Sequence, residues 1–484
     1  MGKTNSAISA ALWSLVDKFS TQGVSFVISI ILARLLTPTD YGIVGLMSIF
    51  LVISNVFIDA GFGNAIIRKT DRTETDLSTA FFFNITISCF IYIILWFLAP
   101  YISLFFNEPL LIPLVRIASL NLVLGSLCIV HQALLTVDLR IKEQTYIALI
   151  SQIPAGIIAI FCAYKGLGVY SLAIQALIAS LIKCLTIWYV AKWFPQKKVS
   201  KASFRYLMGF GSKLVCANVI GVTFDKIYSV LIGKFIGKAE LGFYTKAEAL
   251  DSQVFSVSNG MVQRIALPIL SKCQSDKVLL KNRFREIMRL LVMVNVLIAA
   301  FIFVEAKPII LFLWTEKWLQ TADILSVLAL ANIWIPIGSL SLVLLQVVNR
   351  TDMVLKLEFP KKVIYICIIW IGFQFGVVGL SIGFVLINMV AAFINMYVTK
   401  GILQYSYISQ VVDIFKYVMY ASFSIIITLI FNYNLSVLVL DIIIHFLQIA
   451  FIYIVILLLV RDMIALKYLI KIKNKLIELF KYEK

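Results

Sequence analysis

The chain has 484 residues, of which 61% are hydrophobic and 14% charged, with a formal net charge of +18. Soluble proteins carry about a quarter charged residues, so this composition excludes a string of ordinary soluble domains. The basic surplus is spread through the connections between apolar runs, which argues against a nucleic-acid footprint.

Apolar runs of about 20 residues recur from end to end, each able to cross a hydrocarbon core of about 30 Å. They do not alternate apolar with polar, as a transmembrane barrel would require. The expected fold class is therefore all-α integral membrane. In chain order the predicted spans are 8–33, 42–62, 80–104, 111–135, 145–163, 167–190, 206–232, 242–268, 288–312, 322–347, 358–376, 377–398, 412–431 and 437–460. LARLLTPTDYG follows the first run in place of a small-residue cleavage site, so that run is read as a retained span rather than a signal peptide.

With the N-terminus in the cytoplasm, the outer connections hold only Arg34, Lys165, Lys234, Lys238 and Lys317. The inner connections and tails receive several times as many cations, among them Arg68, Lys69, Arg72, Lys197, Lys198 and Lys201. This is the positive-inside pattern, and fourteen spans place both termini inside. The surplus charge then serves topology and contact with anionic lipid. The longest polar stretches, 193–205 and 271–287, are cytoplasmic in this reading. From Arg461 onward, apolar residues at helical spacing alternate with lysines, the pattern of a basic amphipathic helix on the inner membrane face or of a solvated tail helix.

An internal repeat appears at an offset of 200 residues, where Asp40 meets Glu240 and Gly42 meets Gly242. The repeat pairs the first span with the seventh and the second with the eighth, and an even number of spans separates the copies. Two parallel six-helix lobes follow, at 1–200 and 201–400. Two additional transmembrane helices fill 401–460, and 461–484 is the cytoplasmic tail.

Polar residues line one face of several spans. The first span carries Ser14, Lys18, Gln22, Ser25 and Ser29 at steps of three or four, hence on one helix face. The seventh repeats the pattern with Asn218, Gly221, Asp225 and Ser229. The eighth has Thr245, Glu248, Ser252, Ser256, Asn259 and Gln263, and the second a weaker version in Ser48, Asn55 and Asp59. Taken singly, such Ser and Asn residues also serve helix packing. Four stripes on repeat-related helices point to a central hydrophilic cavity.

A basic residue at mid-span costs about 2.5–3.5 kcal/mol on insertion scales. Arg289, Lys307 and Lys416 lie near helix ends and can reach the boundary, whereas Lys18, Arg116 and Lys213 call for a protein interior or a wet cavity. No catalytic constellation competes. His131 and His445 are the only histidines and read as packed or hydrogen-bonded residues. The seven cysteines show no CxxC spacing. No nucleotide-binding loop is present, and neither a metal nor a cofactor is expected.

The segment LARLLTPTDYGIVGL resembles the turn between the first two spans of Wzx-type polysaccharide-export flippases in the MOP superfamily. DAGFGNAIIRK at 59–69, YSVLIGKFIGKAELGFYTKA at 228–247, RIALPILSKCQ at 264–274 and WTEKWLQ at 314–320 follow in the order of the colanic-acid exporter branch. The resemblance implies a MATE-like fold with a cavity lined by spans 1, 2, 7 and 8. It also implies a substrate, an oligosaccharide repeat unit on undecaprenyl pyrophosphate, moved from the cytoplasmic to the outer leaflet of the bacterial inner membrane by alternating access. Membrane lipids and a polysaccharide polymerase complex are the implied partners. The residues expected to line the cavity are Lys18, Gln22, Ser25, Asp59, Arg116, Lys213, Asn218, Asp225, Glu248 and Asn259. The alternative is a drug or metabolite antiporter of the MATE type, whose cavity should be smaller and dominated by acidic groups.

Overall fold

The computed structural model describes residues 20–59, 62–69, 71–196, 198–431, 438–468 and 470; Lys18 and most of the basic tail lie outside them. Every regular element among the described residues is helical. The first part contains α1 (Ser20–Leu35), α2 (Pro38–Asp59), α3 (Phe62–Arg68), α4 (Glu74–Phe106), α5 (Leu111–Ser126) and α6 (Ile129–Val137). These are followed by α7 (Ile141–Tyr164), α8 (Tyr170–Ala191), α9 (Lys201–Leu231) and α10 (Lys238–Met261). The remainder is α11 (Leu267–Ser271), α12 (Lys277–Trp314), α13 (Leu319–Ala331), α14 (Ile335–Val347), α15 (Thr351–Phe373), α16 (Gly376–Leu403), α17 (Tyr407–Ile430) and α18 (Leu438–Leu459).

Among the described residues, nine helical segments are long and apolar enough to cross a membrane. The α5–α6 pair, bent by 40°, makes a tenth. The chain is an all-α, multi-pass membrane protein. The predicted seventh and eighth spans fold as α9 and α10 but are not among the nine, because the polar stripes that mark them also dilute their apolar character. The predicted tenth span is α13 and α14 in succession, with a turn at Asn332–Trp334 between them. Large apolar side chains such as Phe97 and Leu104 are about 70% exposed, as lipid-facing residues should be.

Local chemistry sets several helix starts. Thr73 and Asp76 form a reciprocal capping box at the start of α4. Asp276 accepts from the backbone N–H groups of Val278 and Leu279, which starts α12 inside the polar 271–287 stretch. At 38 residues, α12 is about 57 Å long and overruns the hydrocarbon core.

The chain forms two compact units, Met1–Thr245 and Lys246–Lys484, dividing within α10. In the first, α4 packs along α5 and α7 along α8, while α9 lies on α2, α3 and α4. Phe62, Ile66, Phe81, Val130 and Leu207 form a core joining α3, α4, α6 and α9. The repeat boundary at 200/201 and the compact division therefore fall in different places, since α9 belongs to the second copy by sequence and to the first unit by packing. In the second unit α12 packs on α13, α14, α17 and α18, and α15 on α16.

Candidate functional site

The repeat has a structural counterpart inside the first unit. Thr37 and Asp40 cap the start of α2, the Thr37 hydroxyl donating to Asp40 Oδ2 at 2.7 Å and the Asp40 N–H to Thr37 Oγ1 at 3.2 Å. One turn on, a Cβ built at Gly42 would lie 1.7 Å from the Lys238 carbonyl oxygen. A Cβ at Gly242 would lie 1.9 Å from the Pro38 carbonyl oxygen. The two contacts exchange places under the 200-residue offset, so α2 and the start of α10 cross at a distance only glycine permits. Beside the crossing, Lys238 pairs with Glu108, and Lys234 donates to the Phe105 carbonyl and sits 4.7 Å over its ring.

The α1 stripe meets other polar residues of the same unit. The Ser25 hydroxyl donates to Gln152 Oε1 of α7 at 3.1 Å. Thr21 joins Gln132, Gln144, Gln152 and Lys183 around a polar cavity of about 180 Å³, in which Lys183 Nζ donates to Gln132 Oε1 at 3.2 Å. Gln22 is half-buried one turn from Ser25. Arg116 Nε lies 3.4 Å from the Trp96 carbonyl oxygen and its guanidinium is 4.4 Å from the ring centroid, so α4 fixes this cation by hydrogen bond and ring contact. Asp59, Asn218 and Asp225 are exposed and Glu248 is half-buried. Lys18 lies outside the described residues, as do the side chains of Lys213 and Asn259.

Sequence reasoning passed over Gln144 and Gln152. Their spacing of eight puts them on one face of α7, and that was the available signal. It also passed over Lys201 and Arg205 as site residues. These line two open pockets of about 590 and 430 Å³ at the start of α9, with Tyr206 in one and Phe204, Met208 and Gly209 in the other.

In the second unit, charged groups meet each other. Asp251 accepts from Asn332 Nδ2 through both oxygens at 2.9 Å. Lys246, nearly fully buried, lies 4.5 Å from the Trp314 ring centroid. His445 Nδ1 and Glu305 Oε1 are 2.9 Å apart. Arg285 Nη2 donates to Asp413 at 3.0 Å, and Tyr405 also donates to that carboxylate. Arg289 and Lys416, expected to reach the aqueous boundary, instead converge on Asp462 at 2.7 Å each. Burial pushes the Asp462 pKa up, but Lys416, the Ala465 N–H and Arg289 outweigh it and hold the carboxyl down to about 2. The other histidine is packed as expected, with the His131 ring stacked on Trp188 and its Nε2 3.1 Å from the Trp193 carbonyl oxygen.

Comparison with known proteins places this architecture. The family model described as polysaccharide biosynthesis protein matches residues 31–323, taking in both halves of the glycine crossing. The chain belongs to this polysaccharide biosynthesis family. Among its relatives, the lipopolysaccharide biosynthesis protein WzxC of Escherichia coli is 23% identical over 84% of each chain. The teichuronic acid biosynthesis protein TuaB of Bacillus subtilis is 24% identical over 68% of this chain and 69% of its own. Two solved structures share the fold of this family member. The lipid II flippase MurJ, in an inward closed conformation, superposes with a TM-score of 0.73 at 14% identity, covering 94% of this chain and all of its own. An inward-facing multidrug resistance MATE transporter of the MOP superfamily gives 0.62 at 16% identity, over 82% of this chain and 98% of its own.

Proposed function

We propose that the protein is a flippase, not an enzyme. In this reading it carries an oligosaccharide unit on undecaprenyl pyrophosphate from the cytoplasmic to the outer leaflet for surface polysaccharide synthesis. The observation that carries the reading is the family match across the glycine crossing, together with relatives named for lipopolysaccharide, teichuronic acid and succinoglycan biosynthesis. The physical demands agree: a sugar needs hydrogen-bonding walls, a pyrophosphate needs cations, and the polyprenyl chain must stay in lipid.

The proposed topology is fourteen spans in the bacterial inner membrane, with both termini and the 193–205 segment cytoplasmic. Lys18, Lys213 and Arg116 are the proposed cations of the cavity, with Gln22, Ser25, Asp59, Asn218, Asp225, Glu248 and Asn259 as its polar lining. The repeat supports a proposed division into two lobes, 1–200 and 201–400, followed by two additional helices at 401–460 and the tail. A polysaccharide polymerase is the proposed downstream partner.

Proteoliposomes holding a polyprenyl-pyrophosphate oligosaccharide test the function. Protein-dependent exposure of the glycan on the far leaflet is expected. Efflux of cationic drugs without glycan movement would favour the antiporter and overturn the flippase. Cysteine labelling at Ser200 and Glu316 in a cysteine-free background tests the topology, and outer labelling of position 200 would reverse it.

A further inference from the structure

An apolar groove of about 540 Å³ runs between α2, α4 and α9 of the first unit. Its wall on α4 extends from Phe83 to Leu98, about 22 Å at the rise of a helix. Phe57 and Ser54 of α2 and Met208 and Val215 of α9 close the other sides. Met208 also lines the neighbouring pocket that holds Lys201 and Arg205. Phe83 of the groove packs on Phe204 of that pocket, with ring centroids 5.1 Å apart. The groove and the cationic pocket thus adjoin. Among the described residues, neither Lys201 nor Arg205 pairs with a carboxylate.

We propose that this groove and pocket form a docking site for a polyprenyl pyrophosphate, its chain along α4 and its phosphates on Lys201 and Arg205. The assignment rests on the flippase reading and adds to it a place where the lipid end of the substrate is held, separate from the proposed cavity stripes. Two cations that no described carboxylate pairs, at the end of an apolar channel, complement an anionic head on a hydrocarbon chain. One leaflet is about 15 Å deep, half of a core of about 30 Å, so a groove of about 22 Å is longer than one leaflet is deep and can hold a chain that reaches past the midplane, as a long isoprenoid does. Leaving lipid for an apolar groove gains little hydrophobic energy, because lipid tails are as apolar as the groove. Affinity therefore comes mainly from the cations, and the groove supplies discrimination by length and shape.

The test is binding of undecaprenyl pyrophosphate to the full chain in nanodiscs of zwitterionic lipid, with phosphatidylglycerol and inorganic pyrophosphate as competitors. Undecaprenyl pyrophosphate should bind at least tenfold more tightly than either competitor. A Lys201→Gln/Arg205→Gln double variant should lose about tenfold in affinity. Ile91→Trp, which narrows the groove, should lose at least threefold while both phosphate-contacting cations remain. Equal competition by phosphatidylglycerol would make this a general anionic-lipid surface, and equal competition by inorganic pyrophosphate would remove the groove from the site; either overturns the proposal. So would wild-type binding by the double variant or by Ile91→Trp. Glycan transport by the same proteins separates the two readings. Wild type that transports but lacks this binding pattern keeps the flippase and loses the site, whereas wild type that moves no glycan loses the flippase.

Discussion

Both compact units hold ion pairs, Lys69–Asp76 and Lys238–Glu108 in the first and an arginine–aspartate cluster in the second, but the first also sets two cations beside an apolar groove. In Lys246–Lys484, Arg285, Arg289 and Lys416 are tied to Asp413 or Asp462, and Asp251 and Glu305 meet Asn332 and His445. In Met1–Thr245, two chain segments are joined by a backbone crossing at paired glycines, and Lys201 and Arg205 stand open beside an apolar groove. A charge already satisfied by its own protein is architecture. A cation that no described carboxylate meets, set beside a groove, is where the proposed lipid phosphate would bind.

Four measurements would break or sharpen this contrast. Gly42→Val or Gly242→Val should have the largest effect, because the obstacle is a backbone carbonyl that cannot rotate away. Each is expected to abolish folded protein in the membrane, read as monodisperse material in size-exclusion chromatography; wild-type yield from either would show that the crossing has slack. Next, Arg289→Ala removes one of two cations from a buried carboxylate that keeps Lys416, and should cost about 1.5–3 kcal/mol. Adding Asp462→Asn should lose further stability, because Lys416 then loses its carboxylate partner, and thermal unfolding of the three proteins reads both.

The third measurement is pH dependence. The folded Asp462 pKa of about 2 lies below the ordinary 3.8, so its ionisation stabilises the fold by about 2 kcal/mol. That contribution is complete above about pH 4, declines as the pH falls and is gone below about pH 2. The Tm difference between wild type and Asp462→Asn should accordingly narrow between pH 5 and pH 3; a constant difference would mean that Asp462 does not titrate in this window. The smallest effect is expected for Lys201→Gln and Arg205→Gln, which should change stability by less than about 0.5 kcal/mol, as exposed positions do. A larger loss would make these residues architectural and erase the contrast.

The helical membrane fold was legible because its signal is long and redundant: twenty apolar residues in a row have few other structures open to them. The offset of 200 residues led to Gly42 and Gly242, and the structure brings these two together at a spacing that leaves no room for a Cβ. The stripes were harder to place. Spacing shows that Ser25 and Lys18 share a face, but not whether that face meets a cavity or another helix, and Ser25 is in fact bonded to Gln152. Arg116 shows the same limit, since nothing local in the chain announces that Trp96 lies beneath it. The ion pairs of the second unit join residues up to 181 positions apart, as in Glu286 and Lys467, and 173 apart in Arg289 and Asp462. No periodicity encodes such a meeting, because it depends on where α12 and the segment after α18 come to lie.

The glycine crossing has a further consequence. Each segment offers one glycine and one carbonyl, and each receives the same pair in return. A contact in which residue i meets j while j's counterpart meets i's is isologous, the arrangement found where two identical subunits meet on a twofold axis. The crossing thus has, within one polypeptide, the symmetry of an interface between two like halves. The flanking residues differ, with Pro38 answered by Lys238 and Asp40 by Glu240, while both sides of the patch carry the glycine that its geometry demands.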